Sequence, residues 1–139
     1  MTTRIFLIRH GATTLSQENR FAGSSGVPLT DEGREQVRHL TARLAKEAIT
    51  AVYASPLGCT METARILAAP HGLAVVPCNG LREISHGHWE GLTRAEVESR
   101  YPEEYAPWNE DPYTFAPEGG KTGLAVTARA LPELLASTS

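Results

Sequence analysis

Ile5-Phe6-Leu7-Ile8-Arg9-His10-Gly11 is the stretch on which the reading of this 139-residue chain turns. Four consecutive apolar residues, bounded by polar Thr2-Thr3-Arg4 and by Gly11, read as a short strand of a parallel sheet, buried on both faces. Ligands of such sheets collect at the carboxyl ends of the strands, and His10 stands at that end. An imidazole there, beside a guanidinium and a flexible glycine, has the parts needed to attack an electrophile whose negative charge Arg9 holds. A phosphoryl group answers that description.

After His10, Gly11 to Pro28 is rich in Gly, Ser and Thr and reads as a loop long enough to fold over a site. Thr30 is placed to cap a helix with Asp31 and Glu32 in its first turn, and Val37, Leu40 and Leu44 carry helical spacing to about Glu47. Ile49 to Ala54 reads as a strand ended by Ser55-Pro56, and Thr60 to Ala69 as a helix stopped by Pro70. A third strand is predicted over Leu73 to Val76 and a further helix from about Thr93 to Arg100. Four prolines at 102, 107, 112 and 117 predict that Pro102 to Gly120 is mostly loop, with at most one helical turn. The last helix is predicted from Thr122 to about Leu131, where Pro132 should kink or end it. The alternation argues a single α/β domain, residues 1–139, with helices on a mainly parallel sheet. A chain ending on Ala136-Ser137-Thr138-Ser139 gives no strand to follow that helix, so the domain reads as shortened at its C-terminus.

Composition narrows the partners. A hydrophobic share of 41% with 21% charged residues is that of a globular domain, and a formal charge of −3 with mixed signs gives no basic stripe for nucleic acid or for an anionic membrane. The apolar run at the N-terminus is too short for a signal-peptide core, which points to the cytoplasm. Cys59 and Cys78 have neither metal-site spacing nor disulfide-scaffold density, so free thiols are expected.

His10 alone would be unremarkable, but it has company in order along the chain. Arg9-His10-Gly11 with Thr13, Asn19-Arg20-Phe21 with Gly23, and Pro28-Leu29-Thr30 with Gly33 are followed by Ser55-Pro56-Leu57 and Glu62-Thr63-Ala64. Then come Leu81-Arg82-Glu83, Gly87-His88-Trp89-Glu90-Gly91 and Pro117-Glu118-Gly119-Gly120. Together they resemble the histidine phosphatase superfamily, also called the phosphoglycerate mutase-like family, over nearly the whole sequence. The resemblance implies a three-layer α/β sandwich and a phosphomonoesterase without cofactor or metal, acting on a small phosphorylated metabolite. His10 would be the nucleophile that carries the phosphoryl group, and Glu83 the general acid for the leaving alkoxide. Arg9 would bind phosphoryl oxygens with Thr13 adding a hydroxyl. Ser16 stands where the family has asparagine, and Arg20 is a candidate for the substrate's far end. The chemistry agrees: a neutral imidazole with a reference pKa of about 6.5 is available at neutral pH, whereas a carboxyl with one of about 4.3 needs burial or nearby negative charge to keep its proton.

Elsewhere the residues carry blander expectations. His86 and His88 form His-x-His without further ligands at recognisable spacing, so no metal is expected. Trp89 is expected to pack rather than to stack on substrate.

The chain also departs from the family's pattern. A second phosphate-clamping arginine is replaced by Cys59, and the later second histidine has no counterpart before Ser139. A thiol lacks the fixed charge and directed donors of a guanidinium. Cys59 and Arg65 match a Cys-x5-Arg spacing, but the intervening residues hold no glycine to cradle phosphate, and Glu62 would repel it. Two alternatives therefore stand beside the phosphatase: a mutase-type phosphotransferase, and a degenerate phosphate-binding paralogue without turnover. A missing terminal strand predicts an exposed sheet edge or apolar helix face, and with it a homodimer, strand exchange or poor solubility.

Overall fold

The computed structural model describes residues 3–23 and 27–137. Its sheet is a parallel pair, β1 (Val52–Ala54) and β2 (Val75–Pro77), in the register Val52 with Val75, Tyr53 with Val76 and Ala54 with Pro77. The Cys78 N–H extends the pairing to the Ala54 carbonyl at 2.7 Å. Parallel strands need a crossover, and the connection here is α3 (Gly58–Ala68), which packs on both strands and is closed by a short turn, Ala69–His71, ending on Gly72 at φ 65°.

Before the sheet come α1 (Thr14–Gln17) and α2 (Asp31–Leu44). The cap anticipated at Thr30 is in place: its hydroxyl oxygen accepts the Gly33 N–H at 3.0 Å and its hydroxyl donates to the Ala12 carbonyl at 3.2 Å. One turn of helix, α1, interrupts the loop expected from Gly11 to Pro28. Residues 24–26 of that loop lie outside the described residues. The apolar side of α2 meets α3 through Val37, with Leu29, Leu57, Cys59 and Leu67 buried around it and Leu40, Leu44 and Ile66 closing the flank.

After β2 come α4 (Arg94–Arg100), α5 (Pro102–Glu110) and α6 (Gly123–Ser137). Thr93 caps α4 in a reciprocal box with Glu96. A second buried cluster lies here, Phe21, Trp89 and Val97, ringed by Leu92, Tyr101, Tyr105 and Trp108.

Three expectations need correction. Ile5 to Ile8 is not a buried strand: it pairs with neither β1 nor β2, and Ile5 and Leu7 are 50% and 84% exposed. A run of apolar residues states a preference for burial, but burial depends on what other elements lay over it, and here even Phe6 and Ile8 keep 38% exposure. Pro102 to Gly120 is not mostly loop, since α5 occupies nine residues of it. Pro102 sits at the first helical position, where its missing N–H costs nothing, Glu103 and Glu104 favour the positive end, and Tyr105 and Trp108 gain burial that outweighs the bond lost at Pro107. Finally, α6 runs through Pro132 instead of stopping there. One missing N–H leaves only the Ala128 carbonyl without its helical donor, and the surrounding Ala, Leu and Glu are strong helix formers.

Candidate functional site

His10 is held by a chain of hydrogen bonds that begins in its own backbone. The Gly11 N–H donates to Thr63 Oγ1 at 3.2 Å, and the Thr63 hydroxyl donates in turn to the Cys59 carbonyl at 2.8 Å, so the residue after the histidine is pinned to the first turns of α3. The neighbouring Ala12 N–H donates to Gln36 Oε1 of α2 at 3.0 Å. Glycine is required at both ends of this approach: a Cβ on Gly33 would strike the Ala12 carbonyl oxygen, and one on Gly11 would strike the Gly33 carbonyl oxygen. His10 Nδ1 lies 2.7 Å from the Gly11 carbonyl oxygen. A carbonyl can only accept, so Nδ1 carries the proton and Nε2 keeps its lone pair in the neutral ring.

Arg9, His10, Thr13, Ser16, Arg20 and Glu83, the six residues singled out in the sequence, all line one pocket of about 90 Å³, together with Cys59. The structure gives them unequal freedom. Thr13 is buried and caps α1, its oxygen accepting the Ser16 N–H while Ser16 Oγ accepts the Thr13 N–H at 2.8 Å, so both hydroxyls are largely engaged in building the turn. Arg20 is fastened by the Gly91 carbonyl at 2.8 Å and by Glu96 at 3.1 Å, with Glu18 at 3.5 Å; it is a wall whose charge is shared with carboxylates. Glu83 reaches the pocket from the turn after Asn79–Leu81. Its Oε1 accepts the Ile84 N–H at 2.8 Å, and its carbonyl accepts from Arg129 of α6 at 3.1 Å.

Cys59 occupies the second position of α3, buried in the cluster with Leu57 and Leu67 and lining the pocket, its Sγ 3.8 Å from Thr60 Oγ1. Arg65 lies on the exposed side of the same helix and is not among the pocket residues. Glu62 does not face an anion site. It pairs with Arg34 at 2.5 Å and accepts the Leu29 N–H at 3.2 Å, contacts that tie the end of the long loop to α3. Both cysteines are free.

The two histidines of His-x-His point to different tasks. His86 Nδ1 donates to the Ala22 carbonyl at 2.6 Å and its ring packs on Phe21; His88 Nε2 donates to Glu104 at 2.6 Å. Glu104 also takes the Trp89 indole N–H at 3.2 Å and the Glu118 N–H at 2.8 Å. Burial raises its pKa, but those donors outweigh burial and hold the carboxyl below its ordinary value. Among the described residues no group of three or more His, Cys, Asp or Glu side chains is placed to hold a metal ion. Thr63 and Glu104 escaped the sequence reading as functional supports. Thr63 belongs to the ordered motif Glu62-Thr63-Ala64, which was the only signal available for it.

Comparison with known proteins places these features. The model of the histidine phosphatase superfamily (branch 1) matches residues 5–137. Phosphoserine phosphatase 1 of Hydrogenobacter thermophilus is 31% identical over 126 residues, 91% of this chain and 60% of that protein. A glucosyl-3-phosphoglycerate phosphatase of Mycobacterium tuberculosis is 34% identical over 137 residues, 96% of this chain and 61% of its own length. Among solved structures, the α-ribazole phosphatase of Shigella flexneri superposes with a TM-score of 0.85 at 27% identity, covering 92% of this chain and 63% of that one. The chain thus spans about three fifths of the length of these relatives, and its α/β fold is theirs, that of the phosphoglycerate mutase-like proteins. With matched motifs, matched fold and a family model spanning both the His10 segment and α6, the chain belongs to the histidine phosphatase superfamily.

Proposed function

We propose that this protein is a phosphomonoesterase acting on a small phosphorylated metabolite, through a phosphohistidine on His10 and with no metal or cofactor. The observation that carries the reading is the convergence of His10, Arg9 and Glu83 on one pocket, with the His10 ring held so that Nε2 is the free nitrogen. In the proposed reaction Nε2 attacks phosphorus in line, the P–N bond forms as the P–O bond to the leaving group breaks, and Arg9 balances the charge on the equatorial oxygens. Glu83 protonates the departing alkoxide from Oε2, the oxygen not engaged by Ile84, and the resulting carboxylate then takes a proton from the water that hydrolyses the phosphohistidine. Relatives named for phosphoserine and for glucosyl-3-phosphoglycerate support a small phosphomonoester as substrate. We further propose a cytoplasmic setting; no helix among the described residues is long and apolar enough to cross a membrane. The exposed run Ile5 to Ile8 supports a homodimer as the arrangement in solution.

Cys59 favours a second reading, a phosphate-binding protein without turnover, because the pocket offers a thiol where the family pattern has a guanidinium. Loss of a charge-assisted contact that tightens in the transition state costs about a hundredfold or more in rate. Purified protein given an aryl phosphate with and without chelator, beside His10→Ala and Cys59→Arg, separates the two. Turnover that resists chelator and vanishes in His10→Ala establishes the phosphatase. A silent parent with activity gained in Cys59→Arg establishes the binding protein, and activity that survives His10→Ala removes His10 from the mechanism.

A further inference from the structure

Among the described residues the Glu83 carboxylate has one hydrogen-bond partner, the neighbouring Ile84 N–H, so where it points is decided by how its backbone is held. Two anchors lie outside the His10 pocket. Arg129 donates to the Glu83 carbonyl, and the Lys121 N–H donates to the Ser85 carbonyl at 2.8 Å, beside the antiparallel bridge of His86 with Gly120. The third anchor reaches the pocket itself. His86 Nδ1 donates to the Ala22 carbonyl at 2.6 Å, and Ala22 and Gly23 belong to the wall that the long loop gives the pocket. It is the first hydrogen bond after Glu83 that joins this segment to the loop; among the described residues the next come only at Gly91 and Leu92. His86 is itself gripped. Its ring lies 5.0 Å from that of buried Phe21, centroid to centroid, and the Glu90 carboxylate accepts its backbone N–H at 3.3 Å. Glu90 also lies against Gly23, where a Cβ would strike Oε1. Because a carbonyl only accepts, Nδ1 carries a proton whether the ring is neutral or charged, and the tie holds in both states.

Resting on the reading of Glu83 as general acid, we infer that His86 is the positioning residue for that acid. Through Ala22 it sets the spacing between the loop wall of the His10 pocket and Glu83, and with it the place of the proton relative to the leaving oxygen. The step served is the transfer of the Glu83 proton to that oxygen as the P–O bond breaks and the P–N bond to His10 forms. The nucleophile is held separately, since Gly11 is tied to Thr63 of α3 and Ala12 to Gln36 of α2. Loss of the His86 bond therefore displaces the acid and leaves His10 in place. General acid catalysis is worth about 10²–10⁴-fold and depends steeply on geometry, so a partial displacement removes a measurable share of it.

The test uses 4-nitrophenyl, phenyl and benzyl phosphate, close in shape and rising in the basicity of the leaving oxygen, and so in their need for the proton. Two variants divide the side chain's contributions. His86→Phe keeps a ring against Phe21 and removes the donor, whereas His86→Asn drops the ring and sets an N–H close to the place of Nδ1. The readout is kcat/KM, which covers the steps up to departure of the leaving group. In His86→Phe it should fall by about twofold on 4-nitrophenyl phosphate and by about tenfold or more on benzyl phosphate, and His86→Asn should recover most of that loss. Circular dichroism checks the fold of both. An equal loss on all three substrates, or none, overturns the assignment, because a merely structural role does not sort substrates by leaving group. A loss in His86→Asn as graded and as large as in His86→Phe overturns it too, by removing the hydrogen bond as the device. If the parent turns over none of the three, the phosphatase reading fails separately, and NMR of the Glu83 carboxyl carbon and the Gly23 amide decides. Both signals moving in His86→Phe and returning in His86→Asn keeps the link between acid and loop; a Glu83 signal that stays put discards it.

Discussion

Beneath His10 the buried cluster is mostly aliphatic, Leu29, Val37, Leu57, Cys59 and Leu67, and it comes largely from two helices that pack face to face. Beside the Gly87–Trp89 turn it is aromatic instead, Phe21 and Trp89 with Tyr101, Tyr105 and Trp108, gathered from the long loop, the turn and two short helices. The first half carries the proposed nucleophile on a backbone stitched to α3. The second carries no candidate catalytic group, yet it holds the loop and the Gly87 to Gly120 region against each other, and Glu83 lies on the segment leading into it. Helix pairs give a site its rigid floor; an aromatic cluster lets irregular segments become nearly as fixed, because each ring buries a large area at small conformational cost.

Removing the centre of each half should have the largest effect. Trp89 is fully buried, touches Phe21 and Trp108 at ring-centroid distances of 5.3 Å, and gives Glu104 one of its donors. Trp89→Ala should cost about 3–5 kcal/mol in urea unfolding, and Leu67→Ala in the aliphatic half should fall at or below that range. If the clusters are separate cores, the double variant should lose the sum of the two to within about 0.5 kcal/mol. A coupling well beyond that would mean one core, and the contrast drawn here would be wrong.

Next in size is the close approach of Gly33 to Ala12. Gly33→Ala forces a methyl group into a backbone carbonyl at the start of α2, which should cost about 1–3 kcal/mol and move the amide resonances of Gly11 and Ala12 while leaving those of Trp89 and Val97 in place. Spectral changes spread evenly over both halves would contradict the division.

Thr63 tests the link between the aliphatic half and the nucleophile. Thr63→Val keeps the shape and removes the acceptor of the Gly11 N–H, leaving a buried donor unpaired at a cost of about 1–3 kcal/mol; Thr63→Ser should restore most of it. Nitrogen NMR of the His10 ring supplies the readout that a merely structural role would not move. The Nδ1-protonated form should predominate in the parent and in Thr63→Ser, and should lose ground in Thr63→Val. An unchanged tautomer in Thr63→Val would show that the Gly11 carbonyl is held without Thr63.

The two halves also differ in how far the sequence disclosed them. Asp31–Leu44 was legible because Thr30, Asp31 and the spacing of Val37 and Leu44 all report on a single helix. The aromatic half was not, since Phe21, Trp89 and Trp108 share no period and only tertiary contact unites them. Its prolines argued for loop, whereas burial of Tyr105 and Trp108 decided for helix. The run Ile5 to Ile8 failed for the converse reason: its local signal was strong, but the described elements leave Ile5 and Leu7 half or more exposed. At the site, His10, Arg9 and Glu83 could be proposed because an ordered series of motifs named them. Thr63 stands in that series too, but its role could not be read there, because its bond to Gly11 spans 52 residues and no spacing encodes it.

Acid offers the finest discrimination, since Glu62 in one half and Glu104 in the other are both held below their ordinary value near 4.5. For Glu62 the cause is the Arg34 guanidinium first, with burial opposing and the Leu29 N–H assisting; for Glu104 burial opposes most strongly and is overcome by the Glu118, His88 and Trp89 donors. Lowered folded-state values mean that the unfolded chain binds more protons in this range. The stabilisation is therefore complete above about 4.5 and is lost as pH falls through the folded values. Stability measured against pH should accordingly drop below about 4.5, and Glu62→Gln and Glu104→Gln should each flatten that drop. Added salt should tell them apart. Glu62 relies on one ion pair about one-third exposed, which ions screen, while two of the three donors to Glu104 are uncharged N–H groups that salt leaves intact. In high salt, Glu104→Gln should still flatten the acid limb when Glu62→Gln no longer does. Equal sensitivity of both would mean that the aromatic half, too, is held chiefly by charge.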